Sequence, residues 1–155
     1  MGVISVWAAW ERLMLRLHRL RPAREGGLFR FEVIRYKGRD HRLADGTLVR
    51  HGDLVVELHL DNRAFVAMRS RPGYSTWKAV HELRLDLAAL GSRIRSGELG
   101  QVAAFHGVSV LGPAGRLLGF ESEELPHNWR NAFLFYFMAG IDAVYHPAGL
   151  ERIKG

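Results

Sequence analysis

The chain contains no cysteine. It therefore has no disulfide framework, and any metal it binds needs histidine, aspartate or glutamate ligands. No stretch reaches the roughly 18 uncharged residues that a membrane-spanning helix needs. The N-terminus also lacks the charged start and clean apolar core of a signal peptide. We therefore expect a cytoplasmic protein, either free in solution or peripheral to the membrane.

Several motifs that would identify a chemistry are missing as well. There is no Gly-x-Ser-x-Gly nucleophile elbow and no glycine fingerprint for dinucleotide binding. A metal site built from His51, Glu57 and His59 would have suitable ligand types, but neither HxH nor HExxH spacing supports it. The sequence therefore predicts no cofactor and no metal.

The composition fits one domain over residues 1–155, because 48% hydrophobic content is enough for a sizeable core. The net charge of +6 favours acidic partners, but a solvated arginine-rich surface is the commoner explanation of such a charge. Nucleic-acid binding would need a basic patch interleaved with exposed aromatics. Only Arg63, Arg69 and Arg71, near Tyr74 and Trp77, approach that pattern, so nucleic acid is not an expected partner.

The first 22 residues carry apolar side chains three and four positions apart. This spacing predicts an amphipathic helix. The apolar positions are Val3, Val6, Trp7, Trp10, Leu13, Met14, Leu17 and Leu20. The helix could pack on its own domain, dock on a protein partner or lie on an anionic membrane surface. Glu25-Gly26-Gly27 behind it is predicted to be a flexible link.

The remaining chain predicts alternating strands and helices. Strands are expected at residues 28–36, in the short segment 47–51 between the two glycine turns, and at residues 54–60, 102–111 and 120–124, with helices at residues 63–68, 76–96 and 128–145. The long central helix is capped by Ser75 or Thr76, and the last helix is strongly apolar. The core stripe of the central helix is predicted to comprise Trp77, Val80, Leu83, Leu87, Leu90 and Ile94. This order predicts a single α+β domain whose mixed or mainly antiparallel sheet is packed by these helices.

The strand at residues 54–60 is the most informative segment. Its side chains alternate in character, and glycine turns at Asp45-Gly46 and Gly52-Asp53 precede it. Successive strand side chains lie on opposite faces, so Glu57 and His59 become neighbours on the face opposite the apolar residues. A carboxylate beside an imidazole suits proton transfer or sugar contacts, and Asn62 follows as a third polar group.

The segment YKGRDHRLADGTLVRHGDLVVELHLDN, followed by FHGVSVL, RLLGFE and YHPAG, resembles the YkoP-like family of small bacterial domains. The resemblance extends from about Trp7 to His146, and its most specific part is DGT through ELHLDN. Such domains occur alone or attached to polysaccharide deacetylases, so the resemblance implies an association with cell-envelope polysaccharide modification. The metal-binding and catalytic motifs of the deacetylase itself are absent from this chain.

Three functions remain open at this point. The first is a non-catalytic accessory domain that contacts a glycan or a polysaccharide deacetylase, with Asn62, Tyr74, Trp77 and His106 as binding residues. The second is a small enzyme in which Glu57 and His59 form an acid–base pair acting on a sugar or acyl substrate. The third is a docking module that uses its N-terminal helix, and a homodimer is compatible with all three.

Overall fold

The computed structural model describes Leu13 and residues 20–107 and 112–121. Within this part of the chain, three helices and six strands follow one another. In chain order they are β1 (Arg21–Pro22), β2 (Phe29–Arg35), β3 (His41–Arg42), β4 (Leu48–Val49), β5 (Leu54–Leu60), α1 (Asn62–Arg69), α2 (Thr76–Arg95), β6 (Val102–His106) and α3 (Gly112–Leu117).

The main sheet has four strands in the order β1-β2-β5-β6. β2 is antiparallel to both of its neighbours, β1 and β5, whereas β6 runs parallel to β5. A parallel neighbour needs a long crossover, which here contains α1 and α2. β3 and β4 form a separate two-stranded hairpin. The fold is therefore α+β with a mixed sheet, and this prediction is confirmed.

The pairing of β2 with β5 gives the sheet two different faces. Phe31 pairs with Leu58 and Val33 with Val56 on one face, while Glu32 pairs with Glu57 on the other. The apolar face packs against α2 and buries the core. That core comprises Ala23, Phe31, Val56, Leu58, Leu90 and Leu99, with Phe29, Val33, Leu87, Ile94, Val102, Phe105 and Phe120 packed around it.

A buried carboxylate joins α2 to the start of β2. Asp86 has no exposed surface, and it accepts hydrogen bonds from the backbone N–H groups of Leu28 (2.6 Å) and Phe29 (2.8 Å). Arg24 donates to it through Nε at 3.0 Å and also pairs with Glu82. The hydrogen bond with Glu82 raises the pKa of Arg24, and the neighbouring Asp86 acts in the same direction.

This junction corrects the prediction of a flexible link at residues 25–27. A Cβ atom on Gly27 would lie 2.3 Å from Asp86 Oδ1, so only glycine leaves room for the carboxylate. The Gly27 N–H also donates to the Arg24 carbonyl at 3.0 Å. The segment is a tight turn packed on α2. This turn brings the N–H groups of Leu28 and Phe29, which follow it, to the buried carboxylate of Asp86.

Local signals placed the helix starts and hairpin turns correctly. Asp61 caps α1 by accepting from the Ala64 N–H at 3.0 Å, and Ser75 caps α2 by accepting from the Lys78 N–H at 3.2 Å. The turns on either side of β4 use glycines with φ of 90° and 92°, a left-handed conformation that glycine adopts without strain. The predicted elements at 28–36, 54–60, 63–68 and 76–96 and the short strand between the glycine turns at 47–51 are confirmed within one or two residues.

Other expectations need correction. Trp77 is 72% exposed, because the buried residues of α2 begin only at Ala79. Phe120 and Glu121 are not in a strand, and Phe120 packs on the core instead. The N-terminal helix was predicted to reach residue 22, but Arg21 and Pro22 form β1 by pairing with β2.

Several predictions fall partly or wholly outside the described residues. Of the amphipathic N-terminal helix, Leu13 is described as helical and 47% exposed. The apolar C-terminal helix at residues 128–145 and the end of the strand predicted at residues 102–111 lie outside. Among the helices that are described, none is long and apolar enough to cross a membrane.

Candidate functional site

Two neighbouring strands bring three chemically active side chains together. Glu32 of β2 pairs directly with Glu57 of β5, and His59 lies two residues further along β5. Because side chains alternate along a strand, all three share the face opposite the core. We refer to Glu32, Glu57 and His59 as the carboxylate–imidazole cluster.

The distances within this cluster are short but exceed those of hydrogen bonds. His59 Nε2 lies 3.8 Å from Glu32 Oε1 and 3.8 Å from Glu57 Oε1. The side chains are 20%, 24% and 36% exposed for Glu32, Glu57 and His59. The cluster is therefore partly screened from water, and within it the His59 Nε2 atom is buried.

An arginine next to the cluster is engaged elsewhere. Arg30 pairs with His59 in the strand register, and its Nε donates to Asp61 Oδ2 at 2.8 Å. Asp61 also caps α1 through its other carboxylate oxygen. This pair ties the end of β5 to β2, so it holds the backbone on which His59 is mounted.

A second histidine lies on the far side of Glu57. His106 of β6 pairs with Glu57, and a β-bulge near Leu54 and Val55 sets this register. The His106 ring meets Tyr36 edge-on, with ring centroids 6.0 Å apart. Its Nδ1 atom is buried and has no hydrogen-bond partner in the part of the chain that the structure describes. His106 therefore extends the polar face across a third strand.

The carboxylate–imidazole cluster also has the ligand set of a cation site. One potential ligand atom from each of its three residues lies within 4.8 Å of the other two. Two carboxylates and one imidazole could hold a divalent ion or contact several hydroxyl groups of an organic ligand.

Comparison with protein-family models identifies the family of this chain. The family model of the YkoP domain matches residues 1–155. The chain belongs to the YkoP domain family. No curated protein and no solved structure matches the chain.

The structure of this YkoP domain joins some of the predicted site residues and separates others. Glu57, His59 and His106 lie on one sheet face. Asn62 is the first residue of α1, just after β5, and Tyr74 lies in the turn between α1 and α2. Trp77 is in the first turn of α2. No described contact joins Tyr74 or Trp77 to the cluster, and the binding roles of Asn62, Tyr74, Trp77 and His106 stay predictions.

Glu32 is the residue that sequence reasoning missed, and His51, which was considered as a ligand and not supported, lies outside the cluster. His51 lies in a turn, where its backbone N–H donates to Asp40 and its Nδ1 contacts the Gly38 carbonyl oxygen at 3.1 Å. The signal for Glu32 was present, because it is the acidic residue on the polar face of the predicted strand at residues 28–36. Only the strand register shows that it lies opposite Glu57.

The charge repulsion between the facing Glu32 and Glu57 is expected to lower the stability of this YkoP domain. Like charges directly opposite each other destabilise a sheet. We therefore expect Glu57→Gln to raise the free energy of unfolding by about 0.2–1 kcal/mol at pH 8 and low salt. Urea denaturation measures this change, and exposed Glu25→Gln is the charge-matched control. A clear loss of stability in Glu57→Gln would show that Glu57 holds the sheet together.

Proposed function

We propose that this YkoP domain is a non-catalytic binding domain that contacts a glycan during cell-envelope polysaccharide modification. The observation that carries the proposal is the convergence of two carboxylates and one imidazole on a partly exposed sheet face. Carboxylates accept hydrogen bonds, and an imidazole donates or accepts them. Sugar hydroxyl groups do both, so each side chain of the cluster has a partner on a sugar ring.

An aromatic residue just after β2 suits the same ligand. Tyr36 presents an aromatic ring beside His106, and aromatic faces pack on the apolar side of sugar rings. The negative charge of the two glutamates favours neutral or amine-bearing sugars over anionic polymers. The net charge of +6 therefore does not describe this face.

The partner enzyme of this proposal is a polysaccharide deacetylase. The YkoP-like resemblance supports it, because related domains occur attached to such enzymes. The chain would then supply glycan contacts, while the chemistry stays with the deacetylase. A binding role needs partly exposed hydrogen-bonding groups, and the two glutamates and the histidine ring of the carboxylate–imidazole cluster are partly exposed.

Calorimetric titration with oligosaccharides of glucosamine and N-acetylglucosamine tests glycan binding. The protein is kept in chelator so that metals play no part. We expect the Glu57→Ala/His59→Ala double variant to bind at least about tenfold more weakly than the wild type, because buried sugar hydroxyls lose their partners.

The matched control for this titration is Glu25→Ala/His81→Ala, which removes the same residue types from exposed positions. It should bind like the wild type. Equal weakening in both double variants would mean that charge alone matters, and it would argue against a site on this face. No binding of either sugar series to the wild type would contradict the proposed function.

An acid–base enzyme is the second candidate, and one distance favours it. His59 Nε2 lies 3.8 Å from both carboxylates, and catalytic hydrogen bonds often shorten only when substrate binds. Turnover of acylated sugars between pH 5 and 8 separates the two functions. An enzyme would release product and lose that activity in His59→Ala, whereas a binding domain would release none.

A further inference from the structure

We propose that Glu32, Glu57 and His59 bind one divalent first-row transition-metal ion, such as Zn²⁺. This proposal goes beyond glycan binding and does not depend on it, although both use the same sheet face. It also replaces the expectation of no metal, which rested on linear spacing alone. The ligands come from two strands that are far apart in sequence, so no short motif could have shown them.

The observed distances fit a metal centre after a small adjustment. Two ligands on a tetrahedral zinc ion lie about 3.4 Å apart, since each bond to zinc is about 2.1 Å long. His59 Nε2 lies 3.8 Å from one oxygen of each carboxylate, and the three ligand atoms all lie within 4.8 Å of one another. Each oxygen must therefore approach the nitrogen by about 0.4 Å and the two oxygens must approach each other by at most about 1.4 Å, which rotation of the glutamate side chains provides without moving the backbone.

The charges in the cluster also favour a cation. Glu32 and Glu57 face each other directly, and two carboxylates neutralise one divalent ion. The imidazole supplies a nitrogen ligand, which suits Zn²⁺, Co²⁺ or Ni²⁺ better than Mg²⁺ or Ca²⁺. The site is mounted on paired strands, a rigid support for metal ligands.

A fourth group lies next to the cluster. Three protein ligands leave one position open on a tetrahedral ion, as in catalytic zinc sites. His106 pairs with Glu57 in the neighbouring strand, and its buried Nδ1 has no hydrogen-bond partner among the described residues. A buried nitrogen without a partner is costly. A ligand bound beside Glu57 is one way to supply the partner that this nitrogen needs.

Titration of Zn²⁺ into the full chain tests the proposal with no sugar present. After chelator treatment and its removal, we expect one ion per chain. Glu32→Gln, Glu57→Gln and His59→Gln should each weaken binding by roughly 10–100-fold or more, since even supporting residues of metal sites have effects of this size. Mg²⁺ at the same concentrations should not displace Zn²⁺.

Glu25→Gln and His81→Gln are the matched controls, since both residues are exposed and outside the cluster. They should keep the wild-type affinity. Circular dichroism checks the fold of each variant. NMR spectroscopy of the wild type is an independent measurement, because bound Co²⁺ should broaden the imidazole signals of His59. No Zn²⁺ binding, or binding that survives all three cluster variants, overturns the proposal. Glycan binding in chelator without any Zn²⁺ binding would overturn this proposal alone.

Discussion

Replacing Asp86 with alanine is expected to destabilise the domain by about 3–5 kcal/mol, because the change leaves two backbone N–H groups without their acceptor and removes one of the two carboxylate partners of the partly exposed Arg24. Asp86 is fully buried and accepts from the N–H groups of Leu28 and Phe29 and from Arg24. Domains of this size are stable by about 5–15 kcal/mol in total. The alanine variant should therefore lie close to its unfolding transition at room temperature.

Urea denaturation followed by circular dichroism measures the effect of Asp86→Ala. Asp86→Asn keeps the shape but has one acceptor oxygen where the wild type uses two, so a loss of about 1–3 kcal/mol is expected. Glu82→Gln is the control on the same helix, because its side chain is 37% exposed and should contribute less than about 1 kcal/mol. An Asp86→Ala variant as stable as Glu82→Gln would refute the role of the buried carboxylate.

The second large effect is expected at Phe31, which has no exposed surface at the centre of the sheet. The Cζ atoms of Arg21 and Arg93 lie 4.9 and 4.8 Å from its ring centroid. Phe31→Ala should cost about 3–5 kcal/mol, because it opens a cavity beneath α2 and removes both cation–π contacts. Thermal and urea unfolding of this variant measure the loss.

A double-mutant cycle separates the cation–π contribution of the Phe31 ring from the contribution of its volume. Phe31→Leu keeps much of the apolar volume, and Arg93→Met keeps the long side chain without charge. We expect a coupling energy of about 0.5–2 kcal/mol between the two positions. A coupling near zero would show that Arg93 only covers the ring, with its ion pair to Glu98 the main contact of the guanidinium.

The regular elements were predictable because their signals are local. Ser75 caps α2, glycines form the turns around β4, and the alternation from residue 54 to residue 60 places Glu57 and His59 on one face. Each of these features depends on side chains within a few residues along the chain. The position of Glu57 beside His59 could be predicted from the same strand, because side chains two residues apart in a strand lie on the same face.

The rest of the site depends on pairings between distant segments. β2 and β5 are separated by the β3–β4 hairpin, so no two-residue turn fixes their register, and Glu32 could not be placed opposite Glu57. His106 reaches the polar face because of the bulge between β5 and β6. A shift of one residue would put it on the core face instead.

Asp86 was missed for a different reason. It lies between Leu83 and Leu87 on the central helix, and an acidic residue beside an apolar stripe is usually at the solvent boundary. Its partners are backbone N–H groups at the start of β2, which carry no side-chain signal. Trp77 shows the opposite error, because its spacing fits the stripe although it is 72% exposed in the first turn of α2.

The most direct test of the account is a crystal structure of the full chain grown with Co²⁺ and recorded at the cobalt absorption edge. We expect one anomalous peak at roughly 2.0–2.2 Å from the nearest carboxylate oxygens of Glu32 and Glu57 and from His59 Nε2. Such a peak would establish the carboxylate–imidazole cluster as a ligand-binding site. A peak at other histidines, or a cluster whose three side chains point apart, would contradict the account.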